Sequence, residues 1–288
     1  MNEYGKVVEN ALIADYTTYK LSGKINKVVY PENLEKLKFL IKYLKENRIK
    51  HMVIGNGSNL IFTKNYDGVL IKLDKFNKVE INENIVKVGA GYSLIKLAMK
   101  TAREGLSGLE FASGIPGTIG GAIYMNAGAY NCSMSDVVES VLVLDDNLEV
   151  KKLFLEDLDF SYRSSILKNN NYICLEATLN LKKAKEEKIL ELIKNRKKRR
   201  LITQPLEYPS GGSVFRNPDG DFAGRLIEEA GLKGININGA EVSNKHANFI
   251  INKGTASGKD VKELILKVQR IIREKYDVEL IIEQEFVE

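Results

Sequence analysis

The stretch Gly114-Ile115-Pro116-Gly117-Thr118-Ile119-Gly120-Gly121-Ala122 constrains this chain more than any other. Its glycine density and the proline demand tight turns and a backbone that comes close to something flat or anionic. It lies in a segment from 108 to 130 that shows no clear periodicity, and irregular connections above about 12–15 residues are uncommon unless they serve a function. A second glycine turn, Gly55-Asn56-Gly57-Ser58-Asn59, follows the apolar run His51-Met52-Val53-Ile54, where backbone N–H groups can face a pyrophosphate. Taken alone it reads equally well as a plain strand-to-turn connection. It is not a Rossmann fingerprint, because Leu60 stands where the third glycine belongs and no clear helix follows. Two such loops in one N-terminal region fit a dinucleotide-sized ligand with more than one phosphate contact.

Periodicity supplies the frame around these loops. A strand from Lys27 to Tyr30 precedes a helix in which Leu34, Leu37, Leu40, Ile41 and Leu44 recur at helical spacing. With the strand at His51 to Ile54 this makes a β-α-β unit, and its crossover implies a parallel or mixed sheet. Val79-Glu80-Ile81 and Val86-Lys87-Val88 alternate around Asn82-Glu83-Asn84 as a hairpin does. A helix over about 93–104 stops at Gly105. Strands are expected at Val141 to Leu144 and Tyr172 to Leu181, a charged helix over 184–201, and a short helix from Phe222 to Ala230. A strand near Asn248 to Ile251, a helix from about Lys259 to Lys275 and a last strand from Val278 complete an α/β tail.

Composition narrows the class. A chain of 288 residues holds two domains or one large one. Its 44% hydrophobic and 28% charged content excludes disordered, collagenous and coiled-coil classes. The apolar runs are too short to cross a bilayer and the first residues form no signal-peptide core, so a cytoplasmic location is expected. Cys132 and Cys174 make no disulfide framework, and with His51 and His246 they leave no expected metal site. A net charge of +5 suits a small anionic ligand as well as nucleic acid.

The reactive residues divide in the same way. Gly254-Thr255-Ala256-Ser257-Gly258-Lys259-Asp260 imitates a phosphate-binding loop, but three residues separate its glycines instead of four, and Asp260 stands where Ser or Thr should hold magnesium. A helix N-cap at Ser257 or Thr255 explains it better. Ser213, in Ser210-Gly211-Gly212-Ser213-Val214-Phe215, is no nucleophile elbow, and its plain reading is a turn residue. Arg163, among Tyr162, Ser164 and Ser165, is suited to gripping carboxylate or phosphate with two parallel hydrogen bonds. Strand alternation puts Glu279, Glu283 and Glu285 on one face, by default a solvated one. The run Lys194 to Arg200 lacks interleaved aromatics, and cations are favoured in the last turn of a helix anyway, so no nucleic-acid partner is expected.

In this order, Thr17-Thr18-Tyr19-Lys20, the turn from Gly55 to Leu60, Gly108 to Gly117, Asn126-Ala127-Gly128-Ala129-Tyr130, Tyr162 to Ser165, Gly211 to Pro218 and Gly239 to Ser243 resemble the UDP-N-acetylenolpyruvoylglucosamine reductase family over nearly the whole chain. The resemblance implies an α+β protein: a two-lobed FAD-binding module of the vanillyl-alcohol-oxidase type (lobes at 1–74 and 75–185), followed by a C-terminal α/β substrate domain at 186–288. Its compact subtype lacks an extra substrate-covering loop. The implied cofactor is non-covalent FAD, cradled by Gly55, Asn56, Gly57, Ser58, Asn59 and Leu60 and by Gly114, Ile115, Pro116, Gly117, Thr118, Gly120 and Gly121.

The implied reaction belongs to peptidoglycan precursor synthesis. NADPH reduces the flavin, which delivers hydride to C3 of the enolpyruvyl group of UDP-N-acetylglucosamine enolpyruvate, and C2 then takes a proton to give UDP-N-acetylmuramate. Ser213 matches the proton donor, and Arg163 and Glu283 match the residues that polarise the substrate carboxylate and stabilise the intermediate. Tyr162, Asn217 and His246 match substrate contacts. Leu280 sets the spacing that selects Glu283 over Glu285, and Gly211 ahead of Gly212 is expected to loosen the loop that presents Ser213. A monomer without membrane or nucleic-acid partners is expected. The alternative within the fold is an FAD-dependent oxidase or dehydrogenase acting on another alcohol or sugar.

Overall fold

The computed structural model describes Met1 and residues 3–288. The chain forms two compact units. The first comprises Met1–Val8, Val28–Asn56 and Gly68–Lys198, and the second comprises Glu9–Lys27, Gly57–Asp67 and Arg199–Glu288.

In the first unit the helix α1 (Leu34–Glu46) begins where Asn33 accepts a hydrogen bond from the Lys36 N–H, and it buries Leu37, Leu40, Ile41 and Leu44 as its periodicity requires. Those side chains share a core with Val29, Val69 and Ile71, which belong to a sheet ordered Gly5–Leu12, Lys24–Pro31, Tyr66–Lys72, His51–Ile54. The strands flanking α1 are therefore not neighbours. Tyr66–Lys72, apolar and buried over Val69 to Ile71, inserts between them and pairs in parallel with His51–Ile54.

The five-stranded antiparallel sheet of this unit is ordered Val150–Phe154, Val138–Leu144, Ile173–Asn180, Ile85–Gly89, Val79–Asn82. It contains the expected hairpin at 79–89, and also an edge strand, Val150–Phe154, that is exposed except at partly buried Leu153 and so carries no alternation to read. The helix α2 (Leu94–Arg103) is capped by Ser93 and is followed by Gly105 at φ +67°. The segment from 108 to 130 is not irregular: it contains a 3₁₀ turn at Glu110–Gly114 and the helix α3 (Ile119–Tyr124). Gly120 and Gly121 hid that helix, because glycine weakens the helical pattern wherever it stands. After the short α4 (Ile166–Asn169) comes α5 (Glu186–Thr203), whose Ile189 and Ile193 pack with Ala102 of α2 while most of the basic run stays in water.

The second unit carries an antiparallel sheet ordered Ser210–Ser213, Phe249–Asn252, Ala240–Val242, Asn236–Ile237. Its core gathers α6 (Ala223–Glu229) and α7 (Gly258–Tyr276) through Leu226, Ile227, Val261, Leu264, Ile265 and Val268. Ser257 caps α7 in a reciprocal box with Asp260, which accounts for the phosphate-loop look-alike. The last strand is short: Glu285–Val287 pairs in parallel with Leu60–Phe62, and the chain from Val278 to Gln284 is irregular apart from a bridge between Ile282 and Phe215. Two amides hold the polypeptide where no ladder reaches. Asn252 donates to the carbonyls of Tyr19 and Lys20 and accepts from Gly254 and Ala256. Asn248, 4% exposed, accepts from the Phe215 N–H at 2.9 Å and donates to the Phe215 carbonyl at 2.8 Å. Asn248→Ala strands both backbone groups, so urea unfolding is expected to show a loss of about 2–3 kcal/mol. A loss under about 1 kcal/mol would mean that water replaces the amide without cost.

Candidate active site

Within the first unit, the turn leaving His51–Ile54 and the glycine-rich segment are tied together. Asn56 donates through Nδ2 to the Pro116 carbonyl at 3.1 Å, and a Cβ on Gly55 would stand 2.5 Å from the Thr118 hydroxyl oxygen. Only glycine fits at 55. The segment is sewn in turn to 90–94: Leu94 N–H to the Gly117 carbonyl at 3.0 Å, Ile119 N–H to Tyr92 at 2.9 Å, and Gly120 N–H to Ala90 at 2.8 Å. Thr118 caps α3 by accepting from Gly121 N–H at 3.4 Å. Gly114 closes the 3₁₀ turn, and the Ile115 carbonyl accepts from Gly117 N–H at 2.8 Å. Beneath the turn, the Lys72 ammonium donates to the Gly55 carbonyl.

The glycines of this segment have two different reasons to be glycine. Gly120 is packed, with its would-be Cβ 3.1 Å from Ala90 Cβ. Gly117 is the opposite, since a Cβ there would meet nothing within 4 Å, and one on Gly121 would meet only Thr118 at 3.6 Å. A bare glycine surface beside a capped helix start leaves main chain open to close approach, as a flat, anionic dinucleotide requires. The residues present fit FAD on this ground.

Arg163 lies in the same unit on a two-residue turn closed by reciprocal hydrogen bonds between Ser161 and Ser164, at 3.1 and 3.2 Å. Its φ of +59° is left-handed, and the turn is pinned by Asn126 Nδ2 to the Ser161 carbonyl at 3.0 Å and by Ser165 Oγ to Tyr124 at 2.9 Å. Arg163 Nη2 donates to the Gly128 carbonyl at 2.9 Å, and its guanidinium lies 4.9 Å from the exposed Tyr162 ring. Motif positions from two distant stretches, Asn126 to Gly128 and Tyr162 to Ser165, are thereby brought together.

In the second unit, Gly57 holds φ +60° with the Tyr16 carbonyl where a Cβ would go, and Ser58 and Asn59 continue the turn to Leu60, whose N–H donates to Gly57 at 3.4 Å. Ser213 follows a bulge: Ser210 pairs with Ile251 and Ser213 with Phe249, and Gly212 between them takes φ +77°. A bulge re-aims the side chain that follows it. Gln284, 4% exposed, donates from Nε2 to the carbonyls of Gly212 and Ser213 at 3.3 Å, and its Oε1 accepts from the Tyr19 hydroxyl at 2.9 Å. Gly211 is not loose. It is buried against the Tyr19 ring, which a Cβ would approach to 2.4 Å.

The backbone of Glu283 lies against Ser213's neighbour, its N–H donating to the Val214 carbonyl at 2.8 Å, while its own carbonyl accepts from Asn59 Nδ2 at 3.1 Å. A bend at Gln284 breaks the expected alternation, so Glu283 and Glu285 do not share one strand face: Glu285 belongs to the pairing with Leu60. Asn217 spends its Oδ1 on Ala223 N–H at the start of α6, at 3.2 Å. His246 is half-buried against Phe249 with ring centroids 4.7 Å apart, and its Nδ1 accepts from Asn248 N–H at 3.3 Å. Burial, helped by nearby Lys233, moves its pKa below the ordinary histidine value. Cys174 is buried, its thiol pushed up to about 12 by desolvation and Glu176, whereas Cys132 is exposed. Among the described residues no three His, Cys, Asp or Glu side chains cluster as a metal site, and no helix is long and apolar enough to cross a membrane.

Sequence reasoning missed Lys72, Asn248, Asn252 and Gln284. Each reads as an ordinary polar surface residue, and no spacing rule marks it as buried.

The family model for the C-terminal domain of UDP-N-acetylenolpyruvoylglucosamine reductase matches residues 204–287, and that for an FAD binding domain matches residues 25–153. A UDP-N-acetylenolpyruvoylglucosamine reductase of Clostridium tetani is 46% identical over 275 residues, covering 95% of this chain and 90% of its own. The crystal structure of the UDP-N-acetylenolpyruvylglucosamine reductase from Thermus caldophilus superposes with a TM-score of 0.84 at 36% identity, covering 98% of each chain. A 6-hydroxy-D-nicotine oxidase from Arthrobacter nicotinovorans shares the fold alone, with a TM-score of 0.51 at 16% identity over 62% of this chain and 42% of that one. The fold is α+β, with an FAD-binding module of the oxidase type followed by a C-terminal α/β domain.

Proposed function

The chain belongs to the UDP-N-acetylenolpyruvoylglucosamine reductase family, and from that membership we propose that it reduces UDP-N-acetylglucosamine enolpyruvate to UDP-N-acetylmuramate in peptidoglycan precursor synthesis, with NADPH as electron source. It is an FAD-dependent oxidoreductase. The observation that carries the finer reading is the bulge at Gly212, which presents Ser213 next to an irregular segment whose Glu283 N–H is bonded to Val214.

When bound, FAD supplies the hydride chemistry. The side chains divide the rest. Hydride gain at C3 of the enolpyruvyl group leaves negative charge spread over C2 and the carboxylate. Arg163, fixed on its strained turn, is the cation for that charge, and rigid charge placed where charge develops is the most effective kind of catalysis. Glu283 is assigned to the same task from beside Ser213. Ser213 gives its Oγ proton to C2, and the resulting alkoxide recovers a proton from solvent. A hydroxyl is a feeble acid toward water but an adequate one toward an enolate. Tyr162, Asn217 through its amide NH₂, and His246 contact the sugar nucleotide. The cradle for FAD runs from Gly55 to Leu60 and through Gly114, Ile115, Pro116, Gly117, Thr118, Gly120 and Gly121, and it holds the cofactor without a covalent bond. The division into lobes at 1–74 and 75–185 and a substrate domain at 186–288 belongs to the same proposal, as do a cytoplasmic location and a monomeric state.

The test is an anaerobic absorbance record. Purified protein should show an oxidised flavin spectrum that bleaches on adding NADPH and returns on adding UDP-N-acetylglucosamine enolpyruvate. A spectrum that bleaches and stays bleached would move the acceptor to another alcohol- or sugar-derived compound.

A further inference from the structure

Lys72 is the one charged residue in the buried run Val69-Leu70-Ile71-Lys72-Leu73, and it is 8% exposed. Taking an ammonium out of water is expensive, and an apolar side chain would serve a sheet interior better. Its position explains what the amine does. Lys72 is in register with Ile54 of the parallel neighbour, so its side chain reaches the carbonyl of the next residue, Gly55, where the strand ends. Its counter-charge Asp74 lies 3.5 Å away and is half-exposed. Burial loosens the amine's hold on its proton, and Asp74 works against that loss.

We propose that Lys72 is a positioning residue for the dinucleotide: by fixing the Gly55 carbonyl beneath the turn, it turns the Asn56 N–H toward the cofactor's pyrophosphate and adds one positive charge under it. The proposal rests on the FAD reading of this loop. Covalent geometry supplies the first half. Among the described residues every peptide bond is trans, and in a trans peptide the N–H points opposite to the C=O that precedes it. A carbonyl drawn inward to the ammonium sends the Asn56 N–H outward. Two contacts prevent the peptide from swinging back: Asn56 Nδ2 is held by the Pro116 carbonyl at 3.1 Å, and the Thr118 hydroxyl fills the space against Gly55. The second half is electrostatic. A cation under a loop in a low-dielectric setting attracts phosphate more strongly than one in water, and the expense of burying it becomes intelligible as anion affinity.

The experiment titrates FAD into the full-length wild-type, Lys72→Met and Lys72→Arg proteins, with flavin fluorescence as the readout and thermal unfolding of the flavin-free proteins beside it. Lys72→Met is expected to bind FAD about 10- to 100-fold more weakly, the scale of one charge-assisted contact, while unfolding no earlier than wild type. Lys72→Arg, which keeps the charge, is expected to recover most of the affinity. Should the methionine variant fail to fold, Lys72→Gln takes its place in the same comparison. Lys72→Met binding FAD as wild type does, or Lys72→Arg binding as weakly as Lys72→Met, would overturn the role of Lys72 alone. A wild-type chain that takes up no FAD would overturn the flavin reading and this inference with it.

Discussion

Ser213→Ala is expected to leave bleaching of the flavin by NADPH at its wild-type rate and to slow the return of colour with UDP-N-acetylglucosamine enolpyruvate by about 10³-fold, the usual scale for loss of a positioned acid. The split follows from what holds the strand. The backbone at 212–213 is fixed by Gln284 Nε2 on the carbonyls of Gly212 and Ser213, and the register with Phe249 belongs to the main chain. None of these bonds uses the serine hydroxyl. Alanine therefore removes a proton and little else, and the fold, the cofactor and the first half-reaction should survive. Stopped-flow absorbance separates the halves. Equal loss in both would point to a damaged loop, and a full rate in the second half would remove Ser213 from the chemistry. Ser213→Cys keeps a transferable proton at nearly the same place, so it should regain part of the second half-reaction without altering the first.

The elements that sequence foretold are those in which one local rule decides the outcome. The apolar spacing of α1, the cap of α7 at Ser257 and the ending at Gly105 are all short-range effects, and all are realised. The failures have a common cause as well. α3 hides behind Gly120 and Gly121, and Gly120 is glycine because Ala90 presses on it, a reason unrelated to helix propensity. Val150–Phe154 is an exposed edge held by register with Val138–Leu144. The last strand shrinks to Glu285–Val287 because Gln284 turns inward to serve Tyr19, Gly212 and Ser213. That bend decides which acid sits beside Ser213, and no alternation rule contains it. Much the same holds for the site. Glycine density pointed to the two loops that Asn56 ties together at the Pro116 carbonyl, because glycine has few other uses at that concentration. The amides of Asn248, Asn252 and Gln284 and the amine of Lys72 did not announce themselves, since residue type predicts water for all four and only long-range partners make burial tolerable.

Gly211 and Gly212 stand next to each other and should respond very differently to the same methyl group. At Gly212 a Cβ meets nothing within 4 Å, so the substitution is opposed only by φ +77°, a strain of about 1 kcal/mol for alanine. At Gly211 the Cβ would stand 2.4 Å from Cε2 of Tyr19 and 2.8 Å from Nε2 of Gln284. Neither neighbour can give way cheaply. Tyr19 is fully buried, its hydroxyl bonded to Gln284 Oε1 at 2.9 Å, and burial holds that phenol above the ordinary tyrosine range. Gln284 can retreat only by releasing the carbonyls of Gly212 and Ser213. Gly211→Ala is therefore expected to cost about 3 kcal/mol or more in urea unfolding, at the upper end for an overpacked core site. Where it still folds, it should lose the second half-reaction together with stability, because the displaced amide is the one that holds Ser213. Gly212→Ala should lose about a third as much stability. If the two variants proved equally stable, the Tyr19–Gln284 contact would be soft, and the presentation of Ser213 would have to depend on the pairing with Phe249 alone.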